Sequence, residues 1–240
     1  MQVALLTVGD ELLSGDTENT NATWLARQLS GRGVAVKRIA VVPDEVSVIA
    51  EHVSKYSTAF DATLVTGGLG RTPDDVTMDG VARAFDRSLQ PNELARADIE
   101  QTVAALAERR PNLSFDIEIE TEAAIPENAR PLINDAGLSP GCVLETVYVL
   151  PGIPEEMRSM FTSVADEFAG EVQTRVLYTN DPESNLVGTL TDARDRFDVG
   201  VGCYPNRDAG HNRLKLSGTD KSALETAESW LRDRVTVVEE

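Results

Sequence analysis

The chain of 240 residues carries 40 acidic and 22 basic side chains, which gives a formal net charge of -18. This charge repels a phosphate backbone and argues against nucleic-acid binding. No apolar run reaches the roughly 18 residues of a membrane span, and the N-terminus lacks a basic, cleavable leader, so we expect no membrane partner and a cytoplasmic location.

Most of the basic residues are arginines, and the only lysines are Lys37, Lys55, Lys215 and Lys221. Acid-rich, lysine-poor surfaces suit a cytosol of very high salt, where screening removes self-repulsion. The acidic residues are spread along the chain rather than gathered in a tail. This distribution favours a halophilic source over an ordinary acidic protein.

The first part of the chain alternates apolar strands with amphipathic helices. Strands are predicted at 2–8, 34–42 and 62–66, and helices at 19–29, from Pro43-Asp44 and from Pro73. Strands that are separated by helices indicate an α/β fold with a parallel sheet and right-handed crossovers.

The second part begins with a charged helix at 92–109 and a stretch at 111–135 that has no clear pattern. A strand at 142–150 and a helix from Glu155 follow, and a change of composition near Gly170 predicts two domains, 1–170 and 171–240. The later domain is predicted to be a small α+β unit with elements at 172–178, 184–197, 199–204, 212–217 and 222–235.

The strongest chemical signal is a glycine turn, Gly67-Gly68-Leu69-Gly70, between the third strand and the next predicted helix. Glycines let the backbone turn tightly and approach a ligand, and free N–H groups at a helix start suit an anionic phosphate. The following residues also fit an ordinary capping box of Thr72 and Asp75, with Pro73 at the first helical position. Capping explains Asp75, but it explains neither Asp74 nor the paired glycines.

Acidic pairs also follow the first two strands, as Asp10-Glu11 and Asp44-Glu45. Because ligands of open parallel sheets bind beyond the carboxyl ends of the strands, these pairs are expected beside the glycine turn. Each pair alone could simply belong to a polar loop or a helix cap. Three acidic sites after three successive strands together favour one shared site.

Four motifs in the same order resemble the signatures of the CinA (competence/damage-inducible protein) family over residues 1–170. They are Gly9-Asp10-Glu11-Leu12-Leu13-Ser14-Gly15, Asn19-Thr20-Asn21, the turn from Thr66 to Thr77, and Pro151-Gly152-Ile153-Pro154-Glu155-Glu156-Met157. The core is also similar to the MoaB, MogA, MoeA and gephyrin molybdopterin-binding domains. The resemblance implies a doubly wound, mostly parallel sheet followed by a small α+β domain, and a homo-oligomer.

The resemblance implies two functions that the residues do not separate. One is hydrolysis of a nucleotide pyrophosphate such as ADP-ribose or FAD with Mg²⁺ or another divalent cation, and the other is molybdopterin binding without hydrolysis. A third reading is a regulatory protein that keeps only the fold. The amidase domain of full-length bacterial members has no counterpart in this sequence, so no amidase activity is expected.

The same resemblance implies the roles of individual residues toward a small phosphate-bearing ligand. Asp44 and Asp75 match the essential carboxylates of the family and are the expected catalytic residues. The expected metal ligands are Asp10, Glu11, Asp74 and Asp75. The expected ligand contacts are Ser14, Gly15, Asn21, Gly67, Gly68, Gly70, Thr72, Pro151 and Gly152. Arg71 stands where many relatives have proline, which either adds a cation near the phosphate or is a tolerated loop change.

Overall fold

The computed structural model describes residues 1–109, 117–206 and 210–239, and the chain forms two compact units, Met1–Ala169 and Gly170–Glu240. Within these described ranges no helix is long and apolar enough to cross a membrane. The strands of the first unit are β1 (Gln2–Val8), β2 (Ala35–Val42), β3 (Ala62–Thr66), β4 (Leu89–Pro91), β5 (Ala124–Pro126), β6 (Arg130–Leu132), β7 (Gly141–Leu144) and β8 (Val147–Leu150). Its helices are α1 (Asp10–Ser14), α2 (Thr20–Gly31), α3 (Val46–Ala59), α4 (Thr77–Ala84), α5 (Glu93–Arg109), α6 (Ile119–Glu122) and α7 (Pro154–Val164).

The first unit is organised around a six-stranded sheet in the order β2-β1-β3-β8-β7-β6. The pairs among β2, β1, β3 and β8 are parallel, and β7 and β6 add an antiparallel edge. Leu5 packs with Leu25 and Phe161 in one core, whereas Leu6 packs with Ile49 in a second. Strands that are covered on both faces are buried along nearly their whole length, as β1 and β3 are. This arrangement confirms the predicted α/β class with a mostly parallel sheet.

The predicted single strand at 142–150 is wrong, because the structure forms a hairpin there. Strands β7 and β8 pair antiparallel, with Leu144 opposite Val147. The turn places Glu145 at a φ of 52°, in the left-handed region. Two exposed polar residues, Glu145 and Thr146, thus divide an apolar run that resembles one buried strand. The patternless stretch at 111–135 contains α6, β5 and β6, and its first residues, 111–116, lie outside the described ranges.

The second unit contains β9 (Gln173–Thr179), α8 (Glu183–Phe197), β10 (Gly200–Asn206), β11 (His211–Gly218), α9 (Lys221–Arg232) and β12 (Val237–Val238). Its strands form an antiparallel sheet in the order β10-β11-β9-β12. The helices bury Leu186, Leu224 and Leu231 against Leu177 and Leu214 of the sheet. This is the predicted small α+β unit, with a two-residue strand, β12, that is too short to show a sequence pattern.

Dissolved salt is expected to stabilise the fold strongly. With a net charge of -18, carboxylates repel one another over distances of roughly 10 Å in dilute salt, and added ions screen that repulsion. We expect the melting temperature to rise by more than about 5 °C between dilute buffer and molar potassium chloride. Thermal melts followed by circular dichroism in a salt series measure this, and a melting temperature that does not move contradicts the halophilic interpretation.

Candidate functional site

Four parallel strands end level at one edge of the sheet, and a cavity of about 480 Å³ opens there. The register pairs Thr7 with Thr66, and Thr66 with Leu150, so the turns after β1, β3 and β8 lie side by side. The predicted site residues that line this cavity are Glu11, Asn21, Asp44, Gly67, Gly68, Gly70, Asp74, Asp75, Pro151 and Gly152. Asp10, Ser14, Gly15 and Thr72 are not among the lining residues.

The glycine turn has the geometry that only glycine tolerates. Gly67 and Gly68 have φ angles of 101° and 63°. A Cβ on Gly67 would collide with the carbonyl oxygen of Val8, and one on Gly68 would collide with the hydroxyl of Thr77 and lie 3.4 Å from Asp44 Oδ1. The paired glycines therefore bring the backbone within contact distance of Asp44, which a helix cap does not require.

Only half of the predicted capping box is made, and it does not begin a helix. The Thr72 N–H and hydroxyl donate to Asp75 Oδ2 at 2.9 and 2.5 Å, and the Asp75 N–H donates back to the Thr72 carbonyl oxygen at 2.9 Å. Helix α4 starts only at Thr77, whose N–H donates to the Gly68 carbonyl oxygen at 3.2 Å. The predicted helix start at Pro73 is therefore wrong, because residues 72–75 close a separate loop and the first helical N–H is bound to the turn.

Asp44 is held at the cavity by a backbone hydrogen bond and has three other carboxylates near it. It precedes α3, which begins at Val46 with Glu45 as its N-cap residue, so the helix predicted from Pro43-Asp44 starts later and Asp44 does not cap it. The Asp10 N–H donates to Asp44 Oδ2 at 2.8 Å. Burial raises the pKa of Asp44 and this hydrogen bond lowers it, while the carboxylates of Asp10, Glu11 and Asp74 raise it further.

The loop after β1 holds the predicted residues that stay outside the cavity. Asp10 starts the short helix α1 and contributes its backbone N–H to Asp44. Ser14 ends that helix, and its hydroxyl donates to Asp16 Oδ2 at 2.7 Å. Gly15 takes a left-handed conformation, with a φ of 81°, as the C-terminal cap. Ser14 and Gly15 therefore shape the loop that carries Glu11 rather than lining the cavity themselves.

The cavity is lined by far more negative than positive charge. Its carboxylates are Glu11, Glu18, Asp44, Asp74, Asp75 and Glu156, and its lining includes one guanidinium, that of Arg71. Arg71 Nε lies 2.8 Å from Glu122 Oε1, and the Glu122 side chain is only 13% exposed. A phosphate ligand would therefore be repelled unless a cation accompanies it.

The carboxylates fit a cation that is shared with a ligand rather than a complete metal site. Among the described residues no group of three Asp, Glu, His or Cys side chains converges to hold a metal. Magnesium is usually held by one or two carboxylates together with substrate phosphates. Asp44, Asp74 and Asp75 provide enough carboxylates for such a shared site. The assignment of Asp10, Glu11, Asp74 and Asp75 as metal ligands stays a prediction.

Part of the cavity wall is built from the segment before β7 and is not predicted from the sequence. Asn134, 1% exposed, donates through Nδ2 to Glu156 Oε2 at 2.8 Å and to the Ser139 carbonyl oxygen at 2.9 Å. The carboxylate of Glu156 occupies the space that a side chain on Gly137 would need. Glu156 lies in the Pro-Gly-Ile-Pro-Glu-Glu-Met motif, which is the one sequence signal that could have identified it.

Each of the two units matches the model of a known protein family. Residues 4–170 match the family model described as a probable molybdopterin binding domain, and residues 171–238 match the model described as the middle domain of FAD synthase. A protein of Archaeoglobus fulgidus is 37% identical over 229 residues, which is 95% of each chain.

Two further relatives carry the CinA name. A CinA-like protein of Frankia casuarinae is 37% identical over 214 residues, which is 82% of this chain and 48% of that one, so the match spans about half of the relative. The crystal structure of a CinA protein of unknown function from Thermoplasma acidophilum is 30% identical, with a TM-score of 0.61, over 70% of this chain and 99% of the other.

Proposed function

The chain belongs to the molybdopterin-binding domain family, with CinA-like relatives, and from this premise we propose that it hydrolyses the pyrophosphate bond of a nucleotide with a divalent cation. ADP-ribose and FAD are the proposed substrate types. The match of residues 171–238 to the middle domain of FAD synthase supports a nucleotide ligand.

The observation that carries this proposal is the excess of carboxylates around a turn that brings the backbone close to the ligand. Asp44 Oδ1 lies 3.4 Å from the place that a Gly68 side chain would occupy, and the Asp75 carboxylate lies 2.6 Å from the corresponding place at Gly70. A ligand on the glycine turn thus meets two carboxylates at once. Such a ligand needs a cation if it is anionic, and that cation supplies charge neutralisation and polarises the scissile P–O bond.

The chain's own residues then perform the hydrolysis by positioning water. Asp44, held by the Asp10 N–H, orients the attacking water and takes its proton. The water oxygen forms a bond to one phosphorus, and the bridging P–O bond breaks. The second phosphate leaves with the electron pair, so a dinucleotide-type substrate yields two phosphomonoesters. Asp75 stays fixed by Thr72 and holds the loop that carries Asp74.

The test is direct detection of product. Purified protein is incubated with ADP-ribose or FAD and with Mg²⁺ or Co²⁺, and AMP is quantified by chromatography. AMP release that scales with protein concentration supports hydrolysis. Binding of molybdopterin with no AMP from any pyrophosphate supports the second candidate, a non-hydrolytic molybdopterin-binding protein, which the match of residues 4–170 favours.

Arg71 is expected to strengthen ligand binding rather than catalysis. Glu122 holds the guanidinium at the cavity edge, where it faces an otherwise acidic lining. We expect Arg71→Gln to raise KM about tenfold or more and to change kcat little, since charge-assisted hydrogen bonds to a phosphate are worth about 1.5–3 kcal/mol. The exposed Arg83→Gln, on α4 and outside the cavity lining, is the matched control. Equal KM values for both variants would show that Arg71 is only a tolerated loop residue.

A further inference from the structure

Two buried side-chain oxygens on the cavity wall lack a hydrogen-bond partner among the described residues. They are Asn21 Oδ1 and Thr66 Oγ1, and both residues line the cavity. Asn21 is 8% exposed and Thr66 is 2% exposed. Native proteins satisfy nearly all buried polar groups, so two unpaired oxygens on one cavity wall point to a ligand that pairs them.

The orientation of Asn21 is fixed by its other polar atom. Its Nδ2 donates to the Gly152 carbonyl oxygen at 2.7 Å, and because a carbonyl oxygen can only accept, the amide oxygen must lie on the opposite side. Gly152 itself touches the glycine turn, since a side chain on it would lie 3.3 Å from Gly67 Cα. Asn21 is thereby held beside the turn with an acceptor unused.

Asn19, two residues earlier, shows the contrasting case. Its Nδ2 donates to Thr7 Oγ1 at 3.1 Å, and its Oδ1 accepts from the Ala22 N–H at 3.1 Å as the cap of α2. Thr7 is the register partner of Thr66 on the neighbouring strand. Thr7 and Asn19 therefore hydrogen-bond to each other, whereas the Thr66 hydroxyl and the Asn21 amide oxygen have no partner among the described residues.

The chemistry of these atoms excludes a phosphate oxygen as the partner of Asn21. An amide oxygen only accepts, so it cannot hydrogen-bond an ionised phosphate oxygen, and its hydrogen-bond partner must be an N–H or O–H donor. We propose that Asn21 and Thr66 recognise the organic part of the ligand, with Asn21 Oδ1 accepting from an amino or hydroxyl group and the Thr66 hydroxyl making a second hydrogen bond. The inference rests on the proposed function. It narrows the substrate class to pyrophosphates that carry a nucleoside, and it excludes inorganic pyrophosphate.

Strand β3 offers a matched pair of variants for the test. Thr63 is fully buried, its hydroxyl also lacks a partner in the described structure, and it is not a lining residue of the cavity. Thr63→Val and Thr66→Val thus remove the same unpaired hydroxyl from the same strand. Both variants should melt at or above the temperature of the wild type, because a buried unpaired hydroxyl is replaced by a methyl group of similar shape.

The experiment measures binding of ADP-ribose, in the form of its non-cleavable methylene analogue, and of inorganic pyrophosphate by calorimetry in the presence of Mg²⁺. We expect the wild type to bind ADP-ribose more tightly than pyrophosphate. Thr66→Val should lower the affinity for ADP-ribose about tenfold and leave the affinity for pyrophosphate unchanged, and Thr63→Val should change neither affinity. Asn21→Ala should also lose the preference for ADP-ribose over pyrophosphate.

Two ligand analogues identify which group of the ligand donates the hydrogen bond to Asn21 Oδ1. Weaker wild-type binding of the hypoxanthine analogue of ADP-ribose assigns the donor to the heterocycle amino group, and weaker binding of a deoxyribose analogue assigns it to the sugar. Unchanged selectivity in both Thr66→Val and Asn21→Ala overturns the inference even if the enzyme is active. A wild type that binds neither ADP-ribose nor pyrophosphate overturns the proposed function, and the inference falls with it.

Discussion

Asp44→Asn is expected to lower the rate of pyrophosphate cleavage by about a hundredfold or more, because metal-assisted chemistry is worth several kcal/mol and each 1.4 kcal/mol is about tenfold in rate. The substitution keeps an oxygen that can accept the Asp10 N–H, so the contact at 2.8 Å survives. What it removes is the negative charge beside the glycine turn. Turnover of ADP-ribose at saturating Mg²⁺ is the measurement.

The melting temperature of Asp44→Asn, unlike its activity, should not fall. The pKa of Asp44 is raised in the folded protein, by burial and by neighbouring carboxylates, so ionisation of Asp44 disfavours folding. Near neutral pH, Asp44→Asn should melt at or above the wild-type temperature. This difference should shrink as the pH falls through the raised pKa, where the wild-type carboxyl is itself protonated. A variant that is both inactive and less stable would indicate a structural role for Asp44.

Glu45→Gln is the control for this pair of measurements. Glu45 is adjacent in sequence and exposed, and it is not a lining residue of the cavity. It is the N-cap residue of α3, yet its side chain makes no capping hydrogen bond. Its substitution should therefore change neither turnover nor melting temperature appreciably. A hundredfold loss in Glu45→Gln would show that general surface charge, rather than Asp44, controls the rate.

The parts of the fold and site that the sequence predicts are those set by local chemistry. The largely apolar sequences of β1 and β3 indicate burial on both faces, and the paired Gly67 and Gly68 indicate positive φ angles. These signals suffice to place the glycine turn at the edge of a parallel sheet. They also suffice to bring Asp44 to that turn, because parallel strands end on the same side.

The parts that the sequence does not predict depend on contacts between distant segments. Asn21 meets Gly152 across 131 positions, and Asn134 meets Glu156 across 22. No periodicity reports such pairs, so which of the nearby polar residues remain unpaired is visible only in the folded chain. The start of α4 is predicted wrongly for a different reason, since the hydrogen bonds between Thr72 and Asp75 close a loop and do not begin a helix.

Removal of divalent cations is expected to abolish both turnover and tight ligand binding. Among the described residues, six carboxylates and one guanidinium line the cavity, so a free pyrophosphate enters against net repulsion. No preformed cluster of three ligands holds a metal within the described ranges, so the metal and the phosphates should bind together. We therefore expect Mg²⁺ to bind weakly alone and at least about tenfold more tightly when ligand is present, with a reciprocal gain for the ligand.

Calorimetry with a non-cleavable methylene analogue of ADP-ribose measures this coupling, because the analogue keeps the phosphates while chemistry is blocked. Titrations of Mg²⁺ with and without the analogue, and of the analogue with and without Mg²⁺, must give the same coupling factor. Potassium chloride at matched ionic strength separates specific metal binding from screening of the net charge of -18. Chelator should reduce turnover to background, and added Mg²⁺ should restore it. Turnover that persists in chelator, or analogue binding that potassium chloride supports as well as Mg²⁺ does, would mean that these carboxylates do not serve a divalent cation.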